Sequence, residues 1–112
     1  MKAAIKGFYC FDRPDFETWQ PDHCEEVYLG LELSIGLIER EGADLFQLVV
    51  ATPQAIQGRA ERRRCKLLVV EQYNWQQIKA ILEQWVGECD RLTWEEIAGC
   101  LRQRFDWEYE GM

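Results

Sequence analysis

The run VYLGLELSIGLI, residues 27–38, limits the fold more than any other stretch of the chain. Val27, Leu29, Leu31, Leu33, Ile35 and Leu37 alternate with Tyr28, Gly30, Glu32, Ser34, Gly36 and Ile38. A period of two sends the two sets to opposite faces of a strand, whereas a helix would distribute them around its circumference. A strand is therefore expected here, with one buried face and one that is largely open or lined by small residues. Gly30 and Gly36 mark a bulge or a close approach by another segment.

The flanking segments fit around that strand. AAIKGFYC, residues 3–10, reads as a first strand, with Phe8 and Tyr9 suited to a pleated surface. EREGAD, residues 39–44, is a hairpin loop with Gly42 available for positive φ. LFQLVVAT, residues 45–52, pairs back antiparallel. Its apolar residues fall on both faces, which predicts an inner strand covered on each side. Pro53 ends it and opens a helical turn through Gln57. KLLVVE, residues 66–71, reads as a short buried strand.

Two helices follow. Asn74 is placed to cap a helix from Trp75, with Gln77 three residues on. Trp75, Ile78, Ile81 or Leu82, Trp85 and Cys89 then recur at helical spacing, and Gly87 frays the end. Thr93 and Glu96 form a capping box for a second helix, whose stripe is Trp94, Ile97, Ala98, Leu101 and Phe105. Arg102 and Arg104 are expected in its last turn, at the negative end of the dipole. The tail FDWEYE, residues 105–110, is a short final strand or an extended arm. Strands first and helices last give an α+β class. The expected architecture is a mostly antiparallel sheet of about four strands, plus that short one, with two C-terminal helices on one face.

A chain of 112 residues without a linker or repeat is expected to form one domain, residues 1–112, with a core that needs no staples. The net charge of −7 disfavours nucleic acid, whose phosphates call for a basic footprint, and permits a basic protein partner. The five cysteines are odd in number and lack CxxC spacing. MKAAIKGFYC does not read as a signal peptide, and no apolar run approaches a membrane span. Reduced thiols and a cytoplasmic location are the expectation.

The single histidine, His23, has Cys24 beside it. Adjacent side chains on extended backbone point apart, so they make a poor nucleophile pair, and the cysteine spacing suits no zinc site. The carboxylate pairs Glu25/Glu26, Glu95/Glu96 and Glu108/Glu110 show no focus on one pocket. No phosphate-binding, hydrolase or metalloprotease motif occurs. Neither catalysis, metal nor cofactor is expected. The basic run RAERRRCK, residues 59–66, reads as a solvated loop or an intramolecular partner for acidic neighbours.

The acidic stretch DRPDFETWQPDHCEE, residues 12–26, sets six carboxylates against the single Arg13. Pro14 and Pro21 restrict it, and Trp19 is expected to pin it to the core or to anchor an interface.

The order of these motifs resembles the immunity protein 8 family of bacterial polymorphic-toxin systems. The resemblance is carried by DFETWQPDHCEEVYLGLELSIG at 15–36 and LFQLVVATPQAI at 45–56. KLLVVEQYNWQQIKAILEQWVGEC at 66–89 and TWEEIAGCLRQRFDWEYE at 93–110 complete it. The chain departs from the pattern at GRAERRRCK, where fewer charges are expected. The resemblance implies a small cytoplasmic α+β protein that binds a cognate toxin domain and neutralises it without catalysis. It does not supply the contact residues. Many toxin domains act on nucleic acids and so carry basic clefts, and an acidic partner fills such a cleft. The expected contacts are Asp12, Asp15, Glu17, Trp19, Asp22, Glu25 and Glu26, with Glu108 and Glu110 as a second patch. The competing reading is a non-catalytic adaptor or regulatory domain unrelated to toxins. A small enzyme with a carboxylate site is the third.

Overall fold

The computed structural model describes residues 1–57 and 65–108. Strands β1 (Ala3–Tyr9), β2 (Tyr28–Leu37) and β3 (Asp44–Ala51) come first. The short helix α1 (Pro53–Gln57) and strand β4 (Leu67–Val69) follow. Helices α2 (Trp75–Gly87) and α3 (Trp94–Leu101) and the two-residue strand β5 (Asp106–Trp107) complete the order. The sheet runs β1-β2-β3-β4, and β5 also pairs with β3. Its pairings are antiparallel except β3–β4, which is parallel. The α+β class read from the sequence holds.

The period of two in β2 is realised. Leu29, Leu31, Leu33 and Ile35 are buried, and they share a cluster with Phe46, Leu48 and Val50 of β3. The helices supply Ile78, Leu82, Val86, Ile97 and Leu101 to the same cluster, and Phe105 follows α3 into it. Each of these side chains, fully buried, contributes roughly 1.5–3 kcal/mol by area.

β3 departs from expectation. Phe46, Leu48 and Val50 face the core, but Gln47 between them is exposed, and Leu45 and Val49 are only half-buried. The strand is inner in the sheet yet covered on one face only. The apolar stripes of the described helices go to the other face, and no described helix covers the second. β4 is shorter than expected, and only Leu68 of its three residues is buried.

The glycines divide. A Cβ at Gly36 would collide with the carbonyl oxygen of Gly42, so the hairpin turn folds onto β2 there, and Gly42 has φ +91°. Gly30 has open space instead. The bulge lies in β1, between Ile5 and Gly7, and the Lys6 ammonium reaches the carbonyls of Arg40 and Gly42.

Both expected caps form. Asn74 Oδ1 accepts from the Gln77 N–H at 3.2 Å, and Thr93 Oγ1 accepts from the Glu96 N–H at 3.2 Å. α3 ends earlier than its charge pattern suggested. Arg102 is its C-cap, so Arg104 lies beyond the helix, with its guanidinium 4.5 Å over the Trp85 ring. The expectation of reduced thiols also fails for one pair. Cys89, after α2, and Cys100, in α3, form a disulfide with their Cα atoms 5.7 Å apart. The turn between the helices brings the two cysteines together, a meeting that their spacing of 11 did not announce.

Asp44 explains how the C-terminal segment docks. Its Oδ2 accepts from the indole N–H groups of both Trp94 and Trp107, each at 3.2 Å. Trp107 stacks on Phe46 at 6.1 Å, and Glu108 Oε1 accepts from the Leu45 N–H. Of the tail, Asp106–Trp107 is therefore a short strand.

Candidate functional site

The acidic stretch connects β1 to β2 and is folded by local turns. Phe16 N–H donates to the Arg13 carbonyl, those of Thr18 and Trp19 donate to the Asp15 carbonyl, and that of Glu26 donates to the His23 carbonyl. Two aromatics then hold the loop. Phe16 is 3% exposed, and its ring meets Trp75 edge-on at 4.8 Å. Phe8 of β1 meets the same indole at 5.0 Å, so Trp75 sits between loop and sheet.

Tyr73, just before α2, joins both halves of the loop. Its hydroxyl donates to the Phe16 carbonyl at 2.7 Å, and its N–H donates to the Cys24 carbonyl at 2.8 Å. Trp19 packs on the Tyr73 ring at 5.1 Å, and the Arg13 guanidinium lies 4.6 Å over Trp19. Trp19 thus takes the pinning role. The far end of the loop is closed by Thr52, wholly buried, whose Oγ1 accepts from the Val27 N–H at 3.0 Å. Two titrations reflect this enclosure. Burial pushes the Tyr73 phenol up to about 12, with Cys10, Asp15 and Glu17 adding to the effect. Burial also pushes the Cys10 thiol up, against opposing main-chain hydrogen bonds from Arg13 and Asp12.

The carboxylates stay outside. Asp12, Asp15, Glu17, Asp22 and Glu26 are exposed, and Glu25 is half-buried. Asp15 pairs with Arg13 at 3.3 Å. Glu25 lies 4.0 Å from His23 and accepts from the Cys24 thiol at 3.5 Å, so histidine and cysteine both turn to the carboxylate. Glu108 belongs to the β5–β3 junction, apart from the loop, and binds main chain. Glu110 and residues 59–64 of the basic run lie outside the described residues.

A cleft of about 580 Å³ opens between the loop and the first turn of α2, lined by Glu17, Trp19, Gln20, Cys24, Tyr73 and Asn74 among others. Glu17 is its one carboxylate. A smaller hollow on the open sheet face carries Asp12, Glu32 and Asp106. There Glu32 binds the Gln47 amide at 3.1 Å and Asp106 binds the Lys66 N–H at 2.9 Å, rather than one another. Among the described residues no three His, Cys, Asp or Glu side chains come together to hold a metal. No described helix is long and apolar enough to cross a membrane.

Sequence reasoning located the loop and offered pinning as one of two roles for Trp19, but missed the clasp. The sequence places Tyr73 in the run that carries the resemblance but does not show its contacts, because its partners lie 57 and 49 positions away. Only the fold sets the β4–α2 junction beside the loop.

The fold and the loop define a small α+β protein with an anchored acidic surface. The family described as Immunity protein 8 matches residues 3–112, and the chain belongs to that family. Membership implies an immunity protein, one that binds a cognate toxin protein; such proteins are generally not catalysts. No curated protein and no solved structure matches the chain.

Proposed function

We propose that this chain, acting as one domain, neutralises a cognate toxin domain of the nuclease type by seating the 12–26 loop in its basic active-site cleft. The observation that carries this reading is the separation of roles within the loop. Phe16, Trp19 and the Tyr73 hydrogen bonds hold the backbone, while the carboxylates face solvent. A surface fixed before binding loses little conformational freedom on association. Its charge, within a chain of net −7, steers a basic partner into contact and makes association salt-sensitive.

In this account Asp12, Asp15, Glu17, Asp22, Glu25 and Glu26 stand in for substrate phosphates, and Trp19 shapes the surface between them. Glu108 has a fold role, so its contribution to the partner is secondary. The protein works in the compartment where the toxin would otherwise act on its producer, the cytoplasm. The test is to read the gene immediately upstream for a toxin domain and co-express that domain with this chain, followed by co-purification and a viability assay. Rescue of growth together with a stable complex supports the reading. Failure of both removes it and leaves the adaptor alternative.

A further inference from the structure

A hollow of about 260 Å³ lies on the sheet face that the helices leave uncovered. Its cause is Gly30. That residue pairs with Val49, and Phe11, two residues past the end of β1, lines the same hollow. A missing side chain between two large neighbours leaves a gap one side chain wide. A Cβ built on Gly30 meets nothing within 4 Å, and its φ is not positive, so the fold itself does not require glycine here.

The surroundings of the gap are specific. Phe11 is 97% exposed, more than any other large hydrophobic side chain among the described residues. Tyr9, Leu67 and Val69 on the same sheet are also exposed. Among the described residues, the charged side chains lining the hollow are acidic: Asp12, Glu32 and Asp106. Gln47 and the Lys66 N–H hold one oxygen of Glu32 and one of Asp106, and among the described residues the second oxygen of each is left for a ligand.

A single exposed aromatic is ordinary on a protein surface. An exposed aromatic beside an empty socket rimmed by carboxylates is the composition that receives a cation, since the ring face attracts it and the carboxylates pair with it. A second copy of this chain is a poor occupant, because pairing the two faces sets Asp12, Glu32 and Asp106 against their own duplicates. We propose that the Gly30 hollow receives a lysine or arginine side chain of the toxin domain, packed on Phe11 and paired with Glu32 or Asp106. The inference rests on the immunity reading and extends its surface, because Asp12 belongs both to the acidic loop and to the hollow.

The test is isothermal titration against the upstream-encoded toxin domain. Gly30→Trp fills the socket, Phe11→Ala removes an exposed ring, and Gly30→Ala serves as a control. The first two are expected to weaken binding about tenfold or more with thermal midpoints near wild type, while the control binds normally. Wild-type affinity in both folded variants overturns the inference, and Phe11→Ala decides alone if Gly30→Trp misfolds. Loss of binding on neutralising Asp15, Glu17, Asp22, Glu25 and Glu26, with Gly30→Trp and Phe11→Ala intact, overturns the hollow and leaves the proposed function standing. A wild-type protein that does not bind this toxin domain overturns both.

Discussion

The Tyr73 hydroxyl donates a 2.7 Å hydrogen bond to the main-chain carbonyl of Phe16, 57 residues earlier in the chain. This bond ties the acidic loop to the start of α2. Tyr73→Phe keeps the ring against Trp19 but leaves the Phe16 carbonyl without that donor. The expected cost is about 1–3 kcal/mol of stability. Hydrogen exchange should show faster opening of loop amides, with the α2 and α3 amides little affected. Phe16→Ala removes a buried ring and should cost more, about 3–5 kcal/mol. Chemical denaturation measures both.

The phenol of Tyr73 also supplies a pH signature. Its pKa is raised from 10.0 to about 12 in the folded state, chiefly by burial. The unfolded chain therefore releases this proton first. The stability linked to Tyr73 is fully present below pH 10 and is lost as pH rises through about 12. An absorbance titration of tyrosinate should show a late-ionising step near pH 12 that loses one residue's amplitude on Tyr73→Phe. If the late step keeps its full amplitude after the substitution, the assignment fails.

How much of this was legible in the chain depended on distance along it. The strand at 27–38 declared itself through its own alternation, and the two caps through residues three positions apart. The acidic loop was visible as composition. Pinning by Trp19 was one of two expectations, but its partner Tyr73 and the Phe16–Trp75 contact were not legible, because only the fold brings these residues together. The open face of β3 was misread for a related reason. Leu45 and Val49 look like core residues in isolation, yet no apolar helix among the described residues covers them. The Asp44 bridge to Trp94 and Trp107 and the Cys89–Cys100 bond likewise join positions that no local pattern links.

The disulfide closes a short loop between α2 and α3. Reduction should destabilise the protein by about 3 kcal/mol in the chain-entropy treatment. Thermal midpoints with and without reductant check this, alongside the mass of the unreduced protein. Cys89→Ser in oxidising buffer should match the reduced wild type, apart from the cost of a polar atom at a buried position.

Thr52 joins the end of the loop to the end of β3. It is wholly buried, with its hydroxyl held between the Val27 N–H at 3.0 Å and the Val27 carbonyl at 3.4 Å. Thr52→Val conserves shape but leaves that N–H without its acceptor, an expected loss of about 1–3 kcal/mol. Thr52→Ser should retain the hydrogen bonds and lose only the methyl contribution. Equal stability of the valine and serine variants would contradict the role given to the hydroxyl.

The central claim is that the anchored carboxylates of the loop make the contact with the toxin. Its most direct measurement is the affinity of a variant in which Asp12, Asp15, Glu17, Asp22, Glu25 and Glu26 become their amides, taken at low and at moderate salt. The predicted result is a folded protein whose binding is weaker by about tenfold or more at low salt, with a flattened salt dependence. Unchanged affinity with unchanged salt dependence would contradict the account and move the interface elsewhere on the protein.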